Sequence, residues 1–325
     1  MAKRFAMTFP PETIDPPKTM TYSRRQVLCS AAAALAIPAT TVSTAIAREP
    51  IQRTGPSRLK LALAAYSFRQ YFSYMKGKKK QPQSDGPAMD MEGFLQYCAD
   101  HGCDGAELTS YFFRNDPDRD YFLDLKRSAF LKGLAISGTA IGNNFTVGRG
   151  ERLESEIAAA KQWIDHAAVL GAPHIRFFAG TGAQIDKEPA RIDEAIEALE
   201  QCAEHAANHG IMLGVENHGN LTSDQMLTIM QRVSSPWVGM NLDTGNFFSD
   251  DPYGDLEKCV GYAVNVQVKV VMRSPDRTKS PADLKRIAAI LRDGGYQGFV
   301  NLEYEEEQPY EHVPQALDEL RQAIA

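Results

Sequence analysis

Residues 211–220, with the sequence IMLGVENHGN, decide the fold that we predict for this chain. The apolar run in this stretch ends abruptly in a carboxylate, an amide and an imidazole, those of Glu216, Asn217 and His218. A strand that is apolar along its length and polar at its end is typical of a buried parallel strand with functional groups at its C-terminal end. We therefore predict that this stretch is the fifth strand of a barrel, with Glu216 at the mouth.

The same pattern recurs along the chain. Three later segments also turn from apolar to polar: 237–246 (WVGMNLDTGN), 263–271 (AVNVQVKVV) and 298–304 (GFVNLEY). Four earlier strands are predicted at 59–68, 105–108, 134–141 and 174–178. A helix is predicted after each strand, near 89–101, 119–132, 153–170, 189–209, 223–233, 253–262, 281–293 and 310–325.

Eight strand and helix pairs over about 265 residues have the length and rhythm of an α/β fold, the (β/α)8 TIM barrel. The competing fold is a doubly wound open sheet, which more often has a glycine-rich phosphate turn after its first strand. Residues 65–68 (AYSF), at the end of the first predicted strand, contain no glycine. The barrel fold places functional groups at the C-terminal ends of the strands, where the polar residues are.

The composition is that of a soluble globular protein, with 43% hydrophobic and 23% charged residues. The net charge is -6, and it becomes -9 without the first 47 residues, which carry five basic and two acidic side chains. An acidic body without a basic stripe is a poor match to a polyphosphate backbone, so we expect no nucleic-acid partner. Small neutral molecules or metal cations fit better, and the sequence leaves the oligomeric state open.

Residues 1–47 are predicted to be a twin-arginine export signal. Arg24 and Arg25 precede an apolar run at 29–38, and residues 45–47 (AIA) have the small-x-small pattern of a cleavage site. Met20 would also suffice as the start of this signal. Because the run is shorter than the ~20 residues that span a bilayer, we expect a periplasmic or otherwise extracytoplasmic protein without a membrane anchor.

Residues 48–58 are predicted to be a loose linker, and residues 59–325 the barrel domain. An insertion at 75–88 follows the first strand, and its lysines favour a lid or a solvated loop. The cysteines after the signal match no zinc motif, so we expect buried or half-buried free thiols. They are Cys98, Cys103, Cys202 and Cys259.

Four successive strands offer polar side chains near their ends, namely Glu216, Asp243, Gln267 and Glu303. Neighbouring barrel strands bring such positions close together at the mouth. Three carboxylates in so small a volume raise one another's pKa or require a cation. A divalent metal ion would supply that cation. The alternative is an ion pair for each carboxylate, and the candidate partners are Arg176, Lys269 and Arg273.

These residues resemble a known family. The motifs GVENHGN, NLDTGN, QVKV and FVNLEYE, in this order at barrel spacing, are similar to those of the xylose-isomerase-like barrel superfamily, in the branch of sugar phosphate isomerases and epimerases. The resemblance covers essentially the whole chain after the signal. It implies a metal-dependent carbohydrate isomerase or epimerase that acts on a small sugar. Such enzymes transfer a proton next to a carbonyl group through an enediolate.

The resemblance also implies a site for a divalent ion of the Mn²⁺ type, with a Glu, an Asp, a His and a Glu after strands 5 to 8. The matching positions are Glu216, Asp243, Gln267 and Glu303. Gln267 replaces the usual histidine, and Asn246 stands where many members have a further histidine. Because an amide oxygen ligates hard cations and binds borderline metals more weakly, we expect Mn²⁺ or Mg²⁺ rather than Zn²⁺.

By the same resemblance Glu216 and Glu303 are the catalytic pair, in which one carboxylate removes the proton and the other returns it. The order of these two roles is left open. Substrate-binding residues are expected around them, and His218 is predicted to reach the same mouth because it lies two residues beyond Glu216. Arg176 and Glu107 are equally compatible with an ion pair that packs inside the barrel. The substrate-binding candidates are His218, Asn246, Lys269, Arg273, Arg176 and Glu107.

Two rival functions would use the same site. Departure of a leaving group after proton abstraction would give a lyase acting on 3-keto-glycosides, whereas the two amide replacements are compatible with a non-catalytic sugar-binding protein. Related DNA-repair endonucleases use a histidine-rich trinuclear zinc site, and this acidic chain lacks those histidines. Because sugar phosphates are mainly cytoplasmic, export favours a substrate without a phosphate group.

Overall fold

The computed structural model describes residues 47–325, in which eight parallel strands close into a barrel. Each strand pairs with the next along the chain, and the last pairs with the first, which confirms the predicted (β/α)8 TIM barrel. The predicted export signal lies outside the described residues, except for Ala47. The strands are β1 (Arg58–Ala64), β2 (Gly105–Thr109), β3 (Ala135–Ala140), β4 (His174–Phe178), β5 (Met212–Glu216), β6 (Val238–Asp243), β7 (Ala263–Val268) and β8 (Gln297–Leu302).

The register of the strands sets which side chains share a level of the barrel. Asp243 of β6 is paired with Gln267 of β7, and Gln267 is paired with Asn301 of β8. On the other side, Phe178 at the end of β4 is paired with Glu216 at the end of β5. The polar ends of β5 to β8 therefore meet at one end of the barrel, as the sequence predicted.

Helices surround the barrel, and most of them begin at a side chain that accepts a hydrogen bond from their first turn. Asp90, Asp118 and Asp283 have this role, and Thr222 forms a capping box with Gln225. The helices are α1 (Met91–Asp100), α2 (Arg119–Leu131), α3 (Glu151–Leu170), α4 (Gly182–Lys187), α5 (Arg191–Ala207), α6 (Ser223–Arg232), α7 (Pro252–Cys259), α8 (Leu284–Asp293) and α9 (Pro309–Ile324).

Several strands end earlier than predicted. β1 ends at Ala64, and Ala65–Phe68 forms a 3-10 turn whose Ser67 hydroxyl accepts a hydrogen bond of 2.9 Å from the Tyr304 backbone. This bond fixes the loop after β1 against the loop after β8. The short helix α4 was not predicted, because its six residues are fewer than two helical turns and show no clear period.

The four cysteines that follow the predicted signal lie in the protein core. Within residues 47–325 they are free and buried, as expected. The structure contains no helix in that range with the length and apolar character needed to cross a bilayer.

The prediction of a loose linker at 48–58 is wrong for its first residues. The Arg48 guanidinium donates 2.8 Å to the Ser235 carbonyl, and the Tyr262 hydroxyl donates 2.9 Å to the Arg48 carbonyl. The Ile51 backbone donates 2.9 Å to the Gly261 carbonyl. These bonds hold an irregular segment against the barrel without giving it a periodic pattern in the sequence.

Candidate active site

A cavity of about 690 Å³ opens at the C-terminal ends of the strands. Asp243, Gln267 and Glu107, which were predicted site residues, lie buried beneath it rather than on its wall. The predicted residues that do line the cavity are Glu216, Glu303, His218, Asn246, Lys269, Arg273 and Arg176.

Glu216, the last residue of β5, is held from two sides. Its Oε2 lies 2.9 Å from Nε of Arg176, and its Oε1 accepts a hydrogen bond of 2.9 Å from the Asn246 amide. Burial raises the pKa of Glu216 to about 7, with Arg176 acting in the opposite direction and Glu303 adding to the rise. The carboxyl group therefore exchanges a proton near neutral pH, which suits general acid and base catalysis.

Arg176 is both cavity wall and ion-pair partner. Its Nη1 donates 2.7 Å to the Ile141 carbonyl, and its guanidinium lies 4.1 Å from the centre of the Phe178 ring. Burial acts to lower the pKa of Arg176, but Tyr111 and Glu216 outweigh it, and the net shift is upward. Arg176 is thus a permanent cation beside Glu216.

Lys269 places its ammonium group among three carboxylates. Its Nζ lies 3.2 Å from Oδ2 of Asp243 and 3.1 Å from Oε1 of Glu305, and it also contacts Oε2 of Glu303. Burial acts to lower the pKa of Lys269, but Asp243 and Glu303 raise it well above its ordinary value. The ion pairs that the sequence left as the alternative to a metal ion are therefore present around both Glu216 and Glu303.

Gln267 faces the barrel interior instead of the cavity. Its Oε1 accepts 2.7 Å from the Asn241 amide, and its Nε2 donates 2.8 Å to Oε1 of Glu107. Burial, together with Glu303, raises the pKa of Glu107 to about 7, although Arg176 and the two amide hydrogen bonds from Gln267 and Asn265 act to lower it. Glu107 is therefore held by amides within the barrel, and its predicted contact with substrate stays a prediction.

A layer of buried amides, which we call the amide layer, lies under the cavity. Its members are Ser137, Asn301, Asn265, Asn241, Gln267 and Glu107, from β2, β3, β6, β7 and β8. Each is joined to another member by a side-chain hydrogen bond of 2.6 to 3.0 Å. Buried polar groups of this kind are stable only when their hydrogen bonds are made. These bonds therefore hold the strands that carry them in fixed positions below the cavity.

The carboxylates fit a divalent cation better than Gln267 does. Oδ2 of Asp243 is buried and accepts no hydrogen bond, although Lys269 lies close to it. An unsatisfied carboxylate oxygen beside Glu303 is a ligand that Mg²⁺ or Mn²⁺ favours. The amide oxygen of Gln267 is already engaged by Asn241. The ligand atoms of Glu216, Asp243 and Glu303 do not all lie within 4.8 Å of one another, so these side chains as arranged here do not fit a divalent ion, and metal binding at this site stays a prediction.

A second group of metal-ligand types lies far from the cavity on the helices. Within residues 47–325, Asp165, His205 and His209 are the one group of three acidic, histidine or cysteine side chains whose ligand atoms all lie within 4.8 Å of one another. Asp165 belongs to α3, His205 lies in the last turn of α5, and His209 lies two residues beyond the end of α5. Any measurement of metal binding by this chain must take this trio into account.

His218 and Arg273 lie at the cavity as predicted. The His218 ring stacks on Phe178 with the ring centres 4.2 Å apart. Partial burial, with Arg176 and Lys269 nearby, lowers the pKa of His218, so the ring is neutral at pH 7. Nη2 of Arg273 lies 3.5 Å from Oε1 of Glu306.

Other residues of the cavity were not predicted. Glu305 lies two residues beyond Glu303, so the period-2 spacing that indicated His218 would also have indicated Glu305. The aromatic wall follows the strands at varied distances and leaves no comparable signal. It consists of Tyr66, Tyr111, Phe178 and Phe248.

The insertion at 75–88 contributes to the wall. A short hairpin pairs Tyr74–Met75 with Lys78–Lys79, and Met75 and Lys76 line the cavity. The Lys76 ammonium lies 4.7 Å from the centre of the Tyr111 ring. In this structure the start of the insertion therefore packs beside the cavity.

A closed (β/α)8 barrel with polar side chains at the ends of four successive strands, three of them carboxylates, has the arrangement in which barrel enzymes place their active sites. The family model of the xylose isomerase-like TIM barrel matches residues 95–324, and the chain belongs to this family. No curated protein sequence matches the chain.

Solved structures with the same fold include two epimerases. D-psicose 3-epimerase from Clostridium cellulolyticum H10, with D-tagatose, is 15% identical, with a TM-score of 0.63, and the match covers 82% of this chain and 99% of that one. The 3-keto-D-glucoside 4-epimerase YcjR from E. coli is 16% identical, with a TM-score of 0.57, and the match covers 82% and 100%.

A third similar structure contains a metal. The IOLI protein, solved with a zinc atom, is 17% identical, with a TM-score of 0.61, and the match covers 81% of this chain and 96% of that one. At these identities the likeness establishes the shared fold. That fold is found in sugar epimerases and in a zinc-binding protein.

Proposed function

We propose that this chain is a metal-dependent carbohydrate isomerase or epimerase that moves a proton on the carbon next to a carbonyl group. Glu216 and Glu303 carry the proposal, because their carboxyl groups line one cavity from the end of β5 and from the residue after β8. Two structurally similar proteins are sugar epimerases, which supports the same chemistry here.

The cavity residues have different roles in the proposed reaction. One of the two carboxylates removes the proton, and the other, protonated, returns it. Asn246 and Arg176 hold Glu216 in place, and Lys269 holds Glu303. His218, which is neutral, presents a hydrogen-bonding ring to the sugar hydroxyls. The Lys269 ammonium group is the cation that lies beside Asp243 and Glu303, where it would stabilise negative charge that develops on the carbonyl oxygen. Dependence on a divalent ion, with Mn²⁺ or Mg²⁺ as the expected ion, stays a part of the proposal that the test below addresses.

The predicted cellular compartment limits the class of substrate that we propose. We propose that the chain is exported by the twin-arginine route, on the pattern of Arg24, Arg25 and residues 45–47. A sugar without a phosphate group is the substrate expected outside the cytoplasm. Because a similar structure is a 3-keto-D-glucoside epimerase, oxidised glycosides are a second class to test, with elimination of the aglycone as the alternative outcome.

The test is solvent exchange. The purified protein, loaded with Mn²⁺ or Mg²⁺, is incubated in D₂O with free ketoses, with 3-keto-glycosides and with a ketose phosphate. NMR and mass spectrometry then follow deuterium next to the carbonyl, the epimer and any released aglycone. We expect deuterium incorporation with a non-phosphorylated sugar, and a loss of about 100-fold or more in Glu216→Gln and Glu303→Gln.

Glu307→Gln is the matched control, since Glu307 follows the same strand but is exposed and outside the cavity. It should exchange deuterium at the parent rate. Sugar binding without any exchange, unchanged in Glu216→Gln, would contradict the enzyme and favour a sugar-binding protein.

A further inference from the structure

The trio of Asp165, His205 and His209 brings three metal-ligand atoms together on the outer helices, and none of the three residues lines the cavity. Nε2 of His205 lies 2.7 Å from Oδ1 of Asp165, and Nε2 of His209 lies 3.1 Å from the same oxygen. Ligand atoms around a tetrahedral zinc ion, with bonds of about 2.1 Å, lie roughly 3.4 Å apart. Each of the two contacts therefore has to lengthen by less than about 1 Å to admit an ion.

The spacing of the two histidines follows from the helix that carries them. Residues four apart on a helix lie on one face. The helical backbone continues past the end of α5, since Asn208 has φ −65° and ψ −19° and the His209 backbone donates 3.0 Å to the Ala206 carbonyl. The two imidazole rings consequently lie side by side, with their centres 5.1 Å apart. Because α3 packs beside α5, Asp165 faces both rings.

The three side chains are accessible, and no fixed cation competes for them. Their exposed fractions are 51% for Asp165, 32% for His205 and 35% for His209. Among the ion pairs of residues 47–325, Asp165 takes part only in those with these two histidines. Glu216 and Glu303 differ in this respect, because a buried arginine or lysine already pairs with each of them. An ion from solution can therefore reach the trio without displacing a permanent charge.

The donor set defines the class of ion. Two imidazole nitrogens and one carboxylate oxygen are ligands that Zn²⁺ takes in proteins, and Co²⁺, Ni²⁺ and Cu²⁺ also accept imidazole. Mg²⁺ and Ca²⁺ prefer sites made entirely of oxygen atoms. Three protein ligands on an open surface leave the fourth position of a tetrahedral ion to water. The trio therefore fits a zinc-type ion and fits Mg²⁺ poorly.

We propose that Asp165, His205 and His209 form a binding site for a divalent transition-metal ion of the zinc type, which ties α3 to α5 on the outside of the barrel. The site is separate from the cavity, and it goes beyond the reaction proposed above. Because the two helices are brought together only by folding, an ion held by both binds the folded state in preference to the unfolded state. Binding of this kind stabilises the fold.

The first experiment measures affinity in the full-length chain without sugar. Zn²⁺ is titrated in competition with a chromophoric chelator, and the visible absorption of bound Co²⁺ reports its ligands. We expect one Zn²⁺ per chain at this site. Asp165→Asn, His205→Ala and His209→Ala should each weaken binding at least about tenfold, since even the loss of a residue that only supports a ligand has an effect of this size. Mg²⁺ in about 100-fold excess should not displace Zn²⁺.

Two control variants should bind Zn²⁺ like the parent. Glu204→Gln removes a negative charge from an exposed position of α5 next to His205, and His312→Ala removes a histidine of α9 that is not part of the trio. Affinity that is unchanged in His205→Ala/His209→Ala would overturn the site. Displacement of Zn²⁺ by Mg²⁺ would also contradict the histidines as ligands.

The tie between the helices is tested by thermal unfolding. Zn²⁺ at about 100 times Kd should raise the Tm of the parent by several degrees. At the same Zn²⁺ concentration the rise should be smaller in Asp165→Asn, and circular dichroism checks the fold of each variant. If Asp165→Asn bound Zn²⁺ as tightly as the parent, the histidines of α5 would hold the ion alone and the tie to α3 would be overturned. Since no sugar is present, this result and the deuterium exchange of the proposed function can fail separately.

Discussion

Each candidate catalytic carboxylate has a buried cation within reach of one of its oxygens, Arg176 for Glu216 and Lys269 for Glu303. These pairs lie in a cavity wall, where water screens them less than it screens pairs on the surface. The charge state of each carboxylate is consequently set by its neighbours as much as by the solvent. Ionisation at this site is therefore the property most open to test by single substitutions.

The pKa of about 7 for Glu216 belongs to the protein without a metal ion and predicts how that form titrates. Without added metal, the Glu216 carboxyl group should titrate with a midpoint near pH 7, because burial disfavours the charged form. The ¹³C NMR shift of its side-chain carboxyl carbon, assigned by comparison with Glu216→Gln, would measure this midpoint between about pH 5 and 9. Arg176→Gln removes a cation that stabilises the carboxylate, so the midpoint should move to higher pH. A midpoint that is the same in both proteins would contradict the assignment.

At the scale of residues, the sequence predicted which side chains lie at the mouth of the barrel better than it predicted how deep each side chain lies. Glu216 and Glu303 were found because a polar residue ends an apolar run. Gln267 was predicted at the mouth on the same ground, but period-2 alternation tells only that a side chain points inward. The level at which it points inward follows from the register between strands, and the pairing of Gln267 with Asp243 and Asn301 places it in the amide layer.

At the scale of elements, β3 and β4 approach each other closely at one point. A Cβ added at Gly138 would lie 1.9 Å from Cε1 of His174, whose ring is buried. Burial lowers the pKa of His174 to about 4, so the ring there is neutral. Only a residue without a side chain fits beside this ring.

Gly138→Ala should therefore lower the free energy of unfolding by roughly 3 kcal/mol, the upper end for overpacking a core. Urea unfolding followed by circular dichroism would measure the loss. In Gly138→Ala/His174→Ala the clash is gone, so the double variant should be more stable than Gly138→Ala alone. Full stability of Gly138→Ala would show that β3 and β4 can separate at no cost.

Element types were predictable because the apolar runs and helical periods are long, whereas element ends were not. The first predicted strand ran to residue 68, but a hydrogen bond from Tyr304 to the Ser67 hydroxyl turns the chain after Ala64. That partner lies more than 200 positions away in the sequence. The end of β1 is thus decided by a contact that no local pattern contains.

At the scale of the whole molecule, the amide layer joins five of the eight strands across the barrel. Glu107 is its one carboxyl group, and it is fully buried. Its pKa is raised from 4.5 to about 7, first by burial. The folded state therefore holds this proton more tightly than the unfolded state does.

The sign of the effect on stability follows from this shift. Between pH 4.5 and 7 the folded chain binds more protons at Glu107, so its contribution to stability is greatest below pH 4.5 and is lost as pH rises through 7. The shift corresponds to roughly 3 kcal/mol in the free energy of unfolding. Glu107→Gln should lose this pH dependence. Its free energy of unfolding, measured in urea, should therefore rise relative to that of the parent between pH 5 and 8. If the stability of Glu107→Gln changed with pH in the same way as that of the parent, the raised pKa of Glu107 would be contradicted. Glu307→Gln is the control, and its stability should show the same pH dependence as that of the parent.

The proposed export by the twin-arginine route concerns the whole chain. Arg24→Lys/Arg25→Lys should leave the protein in the cytoplasm, because the twin arginine is the recognised part of the signal. Cell fractionation and immunoblotting would measure the distribution, and Arg4→Lys should be exported like the parent. Equal export of both variants would contradict the proposed route.

The architecture of the whole chain was predictable because strands and helices alternate eight times, which few folds permit. The attachment of residues 48–51 was not predictable. Their bonds run from Arg48 and Ile51 to main-chain carbonyls near α6 and β7, and any irregular segment offers such donors. Without a period or an apolar face, the sequence carries no trace of where the segment binds.

The aromatic rings and the carboxylates of the cavity wall come from different parts of the barrel. Three of its aromatic rings, those of Tyr66, Tyr111 and Phe178, come from the half of the barrel that ends with β4, whereas its carboxylates come from β5 and β8. A pyranose or an open-chain ketose has a less polar side, where C–H bonds predominate, and a side rich in hydroxyl groups. Such a wall would sort sugars by the side on which their hydroxyl groups lie. Stereoisomers of equal size and composition should therefore differ in how well they enter it.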